Sequence, residues 1–589
     1  MKSSVRAVLV TLVGLTGLTF ASAGCTRNGQ VGASPGDKAN GGAGGSSSSS
    51  AGRGGTSSGG AGQGGAGGGT TMPRPDAASE VGGPVDLAQR DAVIPPTGGN
   101  DARPSDVGAP SDVRPSGDLA PNPMAGPAGP WARGVRVGLV EATQGVFVKL
   151  GEGAAVVDAA MRNAPLIEGR PLFVRVHVAT QAPFTARRLR AVLSLQYADN
   201  TKFEIEDAKM ISATSMPDNL ATTFNLLVPA ANVKPMMTMV ASVYETADAA
   251  GDEPAMPPRF PATGGLDLAV KAGRMEMWVV IAPGSATLVD TPERRKKLEN
   301  DIYDLYPVQK VNLRVRAPIT IAGTFSSSKA FTALREAREA DNAKPYEYYH
   351  LVTAATGVSF AGVGQLPGAT VNDGVRRNAV TIVRNNNIDG NTNTVAHELG
   401  HNHGRQHAPG CGAAGPDAMY PYKTPAGDMG VNGFSLSTMT LKPRAMFREL
   451  MSYCRPRWIS DYQWIRFEAR LRTVTGFAAM EGTGMMAQMQ AARSLQGYAG
   501  PGETPEWGVV TGQLVDPAVT VTAQRYARLA LADGRSVTVP VQVGELTDHE
   551  TFEYAVNLDG ADFSESDVVE AEIVVDGARW MAPVASLHR

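Results

Sequence analysis

The chain is expected to fold as a multidomain protein in which a central α/β (α+β) domain lies between two β-sandwich domains, carried on a disordered N-terminal tether. Three observations lead there. Residues 26–130 are dominated by Gly, Ser, Ala, Pro and Asp; Trp131 opens a region of apolar and polar alternation; and from residue 269 apolar runs interleave with helix signals. A length of 589 residues permits two to four domains. With 54 basic and 57 acidic side chains the formal net charge is −3, which gives no sign of nucleic-acid binding.

Residues 1–25 read as an export signal. Lys2 and Arg6 precede an apolar run from Ala7 to Ala23, too short for a membrane span and flanked as a secretory leader is. Two cleavage readings stand. Ala21-Ser22-Ala23 fits the small-x-small rule of ordinary signal peptidase, whereas Ser22-Ala23-Gly24-Cys25 resembles a bacterial lipoprotein box, with Ser22 where leucine is usual. The lipoprotein reading is preferred, with Cys25 as the lipidated residue, because the Gly/Ser stretch behind it resembles the tether of a surface lipoprotein. The expected location is the outer membrane or cell surface, otherwise the medium, with membrane contact only through that anchor. Residues 26–130 cannot bury enough apolar surface to offset their ordering entropy and are expected to be a spacer.

Residues 131–268 are expected to form the first β-sandwich. Val174, Val176 and Val178, with Arg175 and His177 between them, give a period of two, as do runs near Val192 and Met239. His177 is expected to be solvent-facing or satisfied by a neighbour. In residues 269–475 a strand from Met277 to Ile281 precedes the helix-start signal Thr291-Pro292-Glu293, with Leu298, Ile302 and Leu305 on one face. Val311–Val315, Tyr346–Val352 and Ala379–Val383 read as strands and residues 326–340 as a helix. Ser460-Asp461 starts a last helix carrying Trp464, Phe467 and Leu471. Residues 476–506 are expected to be a partly helical linker and 507–589 a second β-sandwich.

The chemistry is concentrated between His397 and His407, where the chain reads His-Glu-Leu-Gly-His-Asn-His-Gly-Arg-Gln-His. At about 3.6 residues per helical turn, His397 and His401 lie about 40° apart and one turn apart, so two imidazoles can grip one metal ion. Glu398 lies about 100° round from His397, which suits a general base beside a metal-held water better than a ligand. Gly404 can take the left-handed turn that ends the helix and returns the chain, so that His407 supplies a third ligand. Three protein ligands leave a tetrahedral Zn2+ one open position, the mark of a catalytic ion. His403 falls at a variable position: an exposed or supporting side chain is expected, and a ligand swap with His401 stays open.

The segment H-E-x-x-H-x-x-G-x-x-H resembles the metzincin clan of zinc metallopeptidases. That resemblance implies a methionine turn beneath the zinc, and Met451-Ser452-Tyr453 stands at a suitable distance, with Met451 as its base. Tyr453 matches a tyrosine that in some metzincin families reaches the zinc or the oxyanion; core packing is the other reading. Gly362-Val363-Gly364, Tyr420-Pro421-Tyr422 and Trp458-Ile459-Ser460-Asp461 extend the likeness toward large secreted or surface bacterial proteases. In the metzincin arrangement the segments carrying Cys411 and Cys454 converge beneath the metal, which implies a disulfide between them; a zinc-ligating or inhibitory thiol is the rival idea. Pro456 and Trp458 would border the pocket for the side chain after the cut bond, or simply pack. The implied activity is hydrolysis of peptide bonds in protein or peptide substrates by a zinc-activated water, without a covalent intermediate. The alternative is a surface lipoprotein that binds a glycoprotein or polymer and keeps a vestigial zinc site.

Overall fold

The computed structural model describes residues 129–246, 254–289, 291–384, 388–480 and 492–587. The leader with Cys25 and the tether up to residue 128 lie outside the described residues. What is described is mixed α/β and rich in strands, with several sheets and few helices. No helix among the described residues is long and apolar enough to cross a membrane.

The central sheet has five strands in the order Lys310–Val315, Glu276–Pro283, Glu347–Thr353, Asn378–Ile382, Gly362–Gly364. The first four are parallel and the last runs antiparallel at the edge. Parallel strands need crossovers, and helices α1 (Pro292–Leu305) and α2 (Ser327–Ala340) supply two of them. Each starts on a side-chain cap: Thr291 accepts from the Arg294 amide, with Pro292 in the first turn, and Ser326 accepts from the Lys329 amide. Helix α3 (Thr392–Asn402) follows the strand Asn378–Ile382, and α4 (Asp461–Ala479) opens on Ser460, whose hydroxyl accepts from the Gln463 amide.

Before the central sheet come two antiparallel five-stranded sheets. One has the order Ala155–Val156, Phe147–Glu152, Val135–Thr143, Leu172–Thr180, Phe224–Val228; the other is built on Thr238–Glu245, Arg187–Gln196 and Lys202–Ile211. The period-two reading of residues 174–178 gave the strand but not its surroundings. Arg175 and His177 are as buried as the valines, because Glu141 stands between them at 3.7 and 3.5 Å and covers that face with charge.

After α4 come two four-stranded antiparallel sheets, Glu506–Thr511, Arg493–Ala499, Phe552–Asn557, Val541–Glu545 and Ser536–Val539, Arg525–Leu531, Val568–Val575, Ala578–Ala582. This corrects the expected linker over 476–506. Helix α4 continues to Ala479, and Arg493–Ala499 is an inner strand of the first of these sheets. Its polar residues misled the reading because they are buried with partners: Ser494 donates to the Gly512 carbonyl at 2.6 Å and Gln496 to Glu553 at 2.9 Å. Residues 481–491 lie outside the described residues.

Candidate metal centre

Helix α3 brings His397, Glu398 and His401 to one buried side. It ends at Gly404, whose φ of +74° is the left-handed conformation that a residue without Cβ adopts freely, and the chain turns back to bring in His407. The Nε2 atoms of His397 and His401 lie 3.2 Å apart, and the ligand atoms of His397, His401 and His407 all fall within 4.8 Å of one another. Each ring is held from behind. His397 Nδ1 donates to the Leu450 carbonyl at 2.7 Å, His401 Nδ1 to Arg405 at 2.6 Å and His407 Nδ1 to Ala414 at 2.7 Å. A carbonyl can only accept, so each Nδ1 carries the proton and each Nε2 keeps a lone pair. That donor set fits a divalent metal ion with a free position, as zinc requires. Burial reinforces it by pushing all three imidazoles toward the neutral form, His407 down to about 4.

Glu398 is buried beside the triad. Its Oε2 lies 4.0 Å from His401 Nε2 and has no hydrogen-bond partner. Burial raises its carboxyl well above the usual range; the Arg457 guanidinium opposes that rise and Asp548 adds to it. A carboxyl so poised accepts a proton more readily than a free one at neutral pH. Room for it is made by Gly362 on the edge strand, where a Cβ would collide with the Glu398 carboxylate.

Met451 lies fully buried under α3, against Gly400, where a Cβ would collide with its sulfur. Its carbonyl accepts from the Ala408 amide at 2.9 Å, which ties the methionine turn to the segment that brings in His407. Cys411 and Cys454 form a disulfide across 43 residues and join the same two segments a second time. Tyr453 is 41% exposed, with its ring 4.8 Å from that of His407 and 6.3 Å from that of His397. It borders the triad rather than packing in the core.

Of the readings open for His403, the exposed one and the ligand swap fall away: it is buried among the rings of Tyr306, Tyr348 and Phe467 and is not one of the three histidines that converge. Position 403 follows His401 by two residues, so on the helix it turns toward the core rather than the cleft. Trp458 also packs, with its indole N–H donating to the Gly145 carbonyl at 2.9 Å.

Residues 319–441 match the family model described as Metallo-peptidase family M12B Reprolysin-like. This stretch is similar to the reprolysin-like metallopeptidases. It spans α2, the strands Glu347–Thr353, Gly362–Gly364 and Asn378–Ile382 of the central sheet and all three histidines, and members of that family use zinc, so the match and the triad support zinc peptidase activity. No curated protein matches the chain. Among solved structures, a chaperone–substrate complex is similar over 43% of this chain and 39% of that chain, with 11% identity and a TM-score of 0.21. A proposed beta-galactosidase from Bacteroides fragilis is similar over 76% of this chain and 72% of that chain, with 10% identity and a TM-score of 0.13.

Three residues near the histidine triad were not anticipated. Thr547, in the turn between Val541–Glu545 and Phe552–Asn557, accepts from the Gly364 amide at 2.8 Å and donates to its carbonyl at 3.1 Å. Asp548 beside it accepts from the Ser327 hydroxyl at 2.8 Å. Contacts between residues 183 positions apart leave no local signal in a sequence. Arg457 gave no usable signal either: with Pro456 and Trp458 read as bordering the pocket, strand alternation would turn the residue between them away from it.

Proposed function

We propose that this chain is an exported zinc-dependent endopeptidase that hydrolyses peptide bonds of protein substrates, with His397, His401 and His407 as ligands and Glu398 as general base. The observation that carries this reading is the convergence of three Nε2 atoms, each with its tautomer fixed by a carbonyl, beside a buried carboxylate whose Oε2 has no partner. Zinc held there by the three imidazoles would supply Lewis acidity, making a water more acidic and the scissile carbonyl more electrophilic. Glu398 takes the proton of that water and later delivers it to the leaving amine. Tyr453, exposed beside His407, stabilises the developing oxyanion. Met451 and the Cys411–Cys454 disulfide hold the floor of the site.

The reading extends to the layout. Residues 269–475 form a metzincin-like catalytic domain, with the central sheet above the cleft and the loops to α4 below. The flanking antiparallel sheet pairs, each with apolar inner faces, are β-sandwich domains. The leader directs export, and Cys25 carries a lipid that holds the protein at the cell surface.

Zinc content and cleavage of a mixed peptide library, compared between wild type and Glu398→Gln, test the centre of this proposal. The variant should keep its zinc and lose about 10²–10⁴-fold in kcat/KM. Equal cleavage by the two proteins would remove Glu398 from its role. Palmitate labelling should disappear in Cys25→Ser; labelling that persists would remove the anchor.

A further inference from the structure

Arg457 lies in the two-residue strand Arg457–Trp458, which pairs with Arg448–Glu449 just past the methionine turn. It is 8% exposed, yet its buried Nε and Nη1 have no hydrogen-bond partner, and among the described residues it makes no ion pair. Other buried arginines donate from most of their nitrogens, and even Arg175 and Arg377, which each leave one buried nitrogen unpartnered, donate from the other two. Arg170 donates to Gln144, Tyr303, Tyr306 and Val308, and Arg335 to Gln496, Glu506 and Trp507. Burying a guanidinium without such partners costs several kcal/mol. Arg457 nevertheless stays positively charged at neutral pH, its pKa brought down only to about 10, chiefly by burial.

Its surroundings say what it faces. Its strand partner Arg448–Glu449 leads directly into Leu450, whose carbonyl holds the His397 ring, and its charge is felt by Glu398, Tyr453 and the three histidines, so it stands beside the triad. Glu398 is near enough to feel that charge but too far to pair with it, and keeps its own Oε2 unpartnered. Arg455, exposed nearby, adds a second positive charge. A guanidinium with unpartnered donors beside the triad is matched by a carboxylate, which can take one N–H bond from Nε or Nη1 and a parallel one from Nη2.

We propose that Arg457 is the receptor for a carboxylate of the substrate, so that the peptidase selects peptides carrying one beside the scissile bond. This inference rests on the zinc peptidase reading and adds the class of substrate. The carboxylate has two sources, an Asp or Glu side chain within a chain or the α-carboxylate of a chain end. Bound there, it neutralises the buried cation and fixes the scissile carbonyl relative to Glu398 and the metal ligands.

The test uses the zinc-loaded full-length protein, wild type, Arg457→Met and Arg457→Lys. Matched peptides differ only as Asp against Asn or Glu against Gln around the cut, and a second set ends in a free acid or an amide. Wild type should favour the carboxylate member of one set by at least about tenfold in kcat/KM, and which set responds identifies the source. In Arg457→Met the ratio should fall close to one, and Arg457→Lys should restore part of it. Because the guanidinium has no partner to abandon, Arg457→Met should fold and hold zinc with an unchanged or higher Tm. Cleavage by wild type without a carboxylate preference, or a preference that survives in Arg457→Met, overturns this inference alone. A zinc-loaded wild type that cleaves neither set overturns the peptidase reading and the inference together.

Discussion

Residues 129–270 and residues 492–587 are both built from pairs of antiparallel sheets, yet they meet the central sheet through different chemistry. The first region has no core of its own. Val137, Leu172 and Val243 belong to the same apolar cluster as Ile302 of α1, Leu399 of α3 and Phe467 of α4. The second region has a separate cluster around Leu529, Val556 and Ile573. Its apolar contribution to the centre is small, chiefly Tyr498 and Leu546 against Phe331. Polar groups do most of the joining: Arg376 Nε meets Glu553 at 2.7 Å, Gln365 donates to Tyr498 and Glu553, and Thr547 brackets Gly364. A shared apolar core couples the folding of the parts that share it, whereas a polar seam holds two parts that can each be stable alone. The seam also reaches the histidine triad, because Thr547 brackets Gly364, which packs against His401 of α3.

The strongest way to break this contrast is Arg170→Met. Arg170 is fully buried and caps the C-terminal end of α1, giving its N–H groups to the carbonyls of Tyr303, Tyr306 and Val308 and joining them to Gln144. Removing it strands those acceptors and should cost about 3–5 kcal/mol. Hydrogen exchange should show Val135–Thr143 and α1 losing protection together while Val568–Val575 keeps its own. Protection lost equally in all three would mean that the C-terminal region is not a separate unit.

A buried acid sharpens the same contrast. Glu449 accepts from the Ser460 amide at 2.9 Å, at the start of α4, and from the Met451 amide at 3.3 Å, and burial pushes its carboxyl up to about 7. Its folded value lies above the unfolded one of about 4.5, so the folded state binds the proton more tightly. The stabilising contribution is fully present below pH 4.5 and is lost as pH rises through 7, by up to about 3 kcal/mol. Denaturant unfolding at pH 5 and 7.5 should show that loss in wild type and little of it in Glu449→Gln. It should be confined to the transition of the shared core; an equal slope in the variant would assign it to another group.

Much of the shared-core half could be read from the sequence, because its signals are local. Thr291-Pro292 caps α1 as expected, Ser460 caps α4, and the spacing from His397 to His407 matches a helix, a glycine turn and a returning histidine. The polar seam was mostly hidden. Arg493–Ala499 is buried with its polar side chains satisfied by distant partners, so composition made it look like a linker. For His403 the sequence left an exposed side chain, a supporting one and a ligand swap open, since only the packed rings of Tyr306, Tyr348 and Phe467 determine which way it faces.

The smallest expected effect tests the seam where it touches the site. Thr547 satisfies both the amide and the carbonyl of Gly364, and Gly364 packs so closely on α3 that a Cβ there would stand 2.7 Å from His401 Cβ. Thr547→Val keeps the shape and removes the hydroxyl, leaving a buried backbone N–H and C=O unpaired at a cost of about 1 kcal/mol. Global stability should fall far less than in Arg170→Met. The loss should show instead as a change of up to about fivefold in kcat/KM, because the edge strand that borders His401 is less firmly held. Thr547→Ser, which retains the hydroxyl, should recover the wild-type value. If Thr547→Val unfolds the protein as Arg170→Met does, the seam is part of the core after all; if it changes neither stability nor turnover, the C-terminal region merely rests beside the cleft.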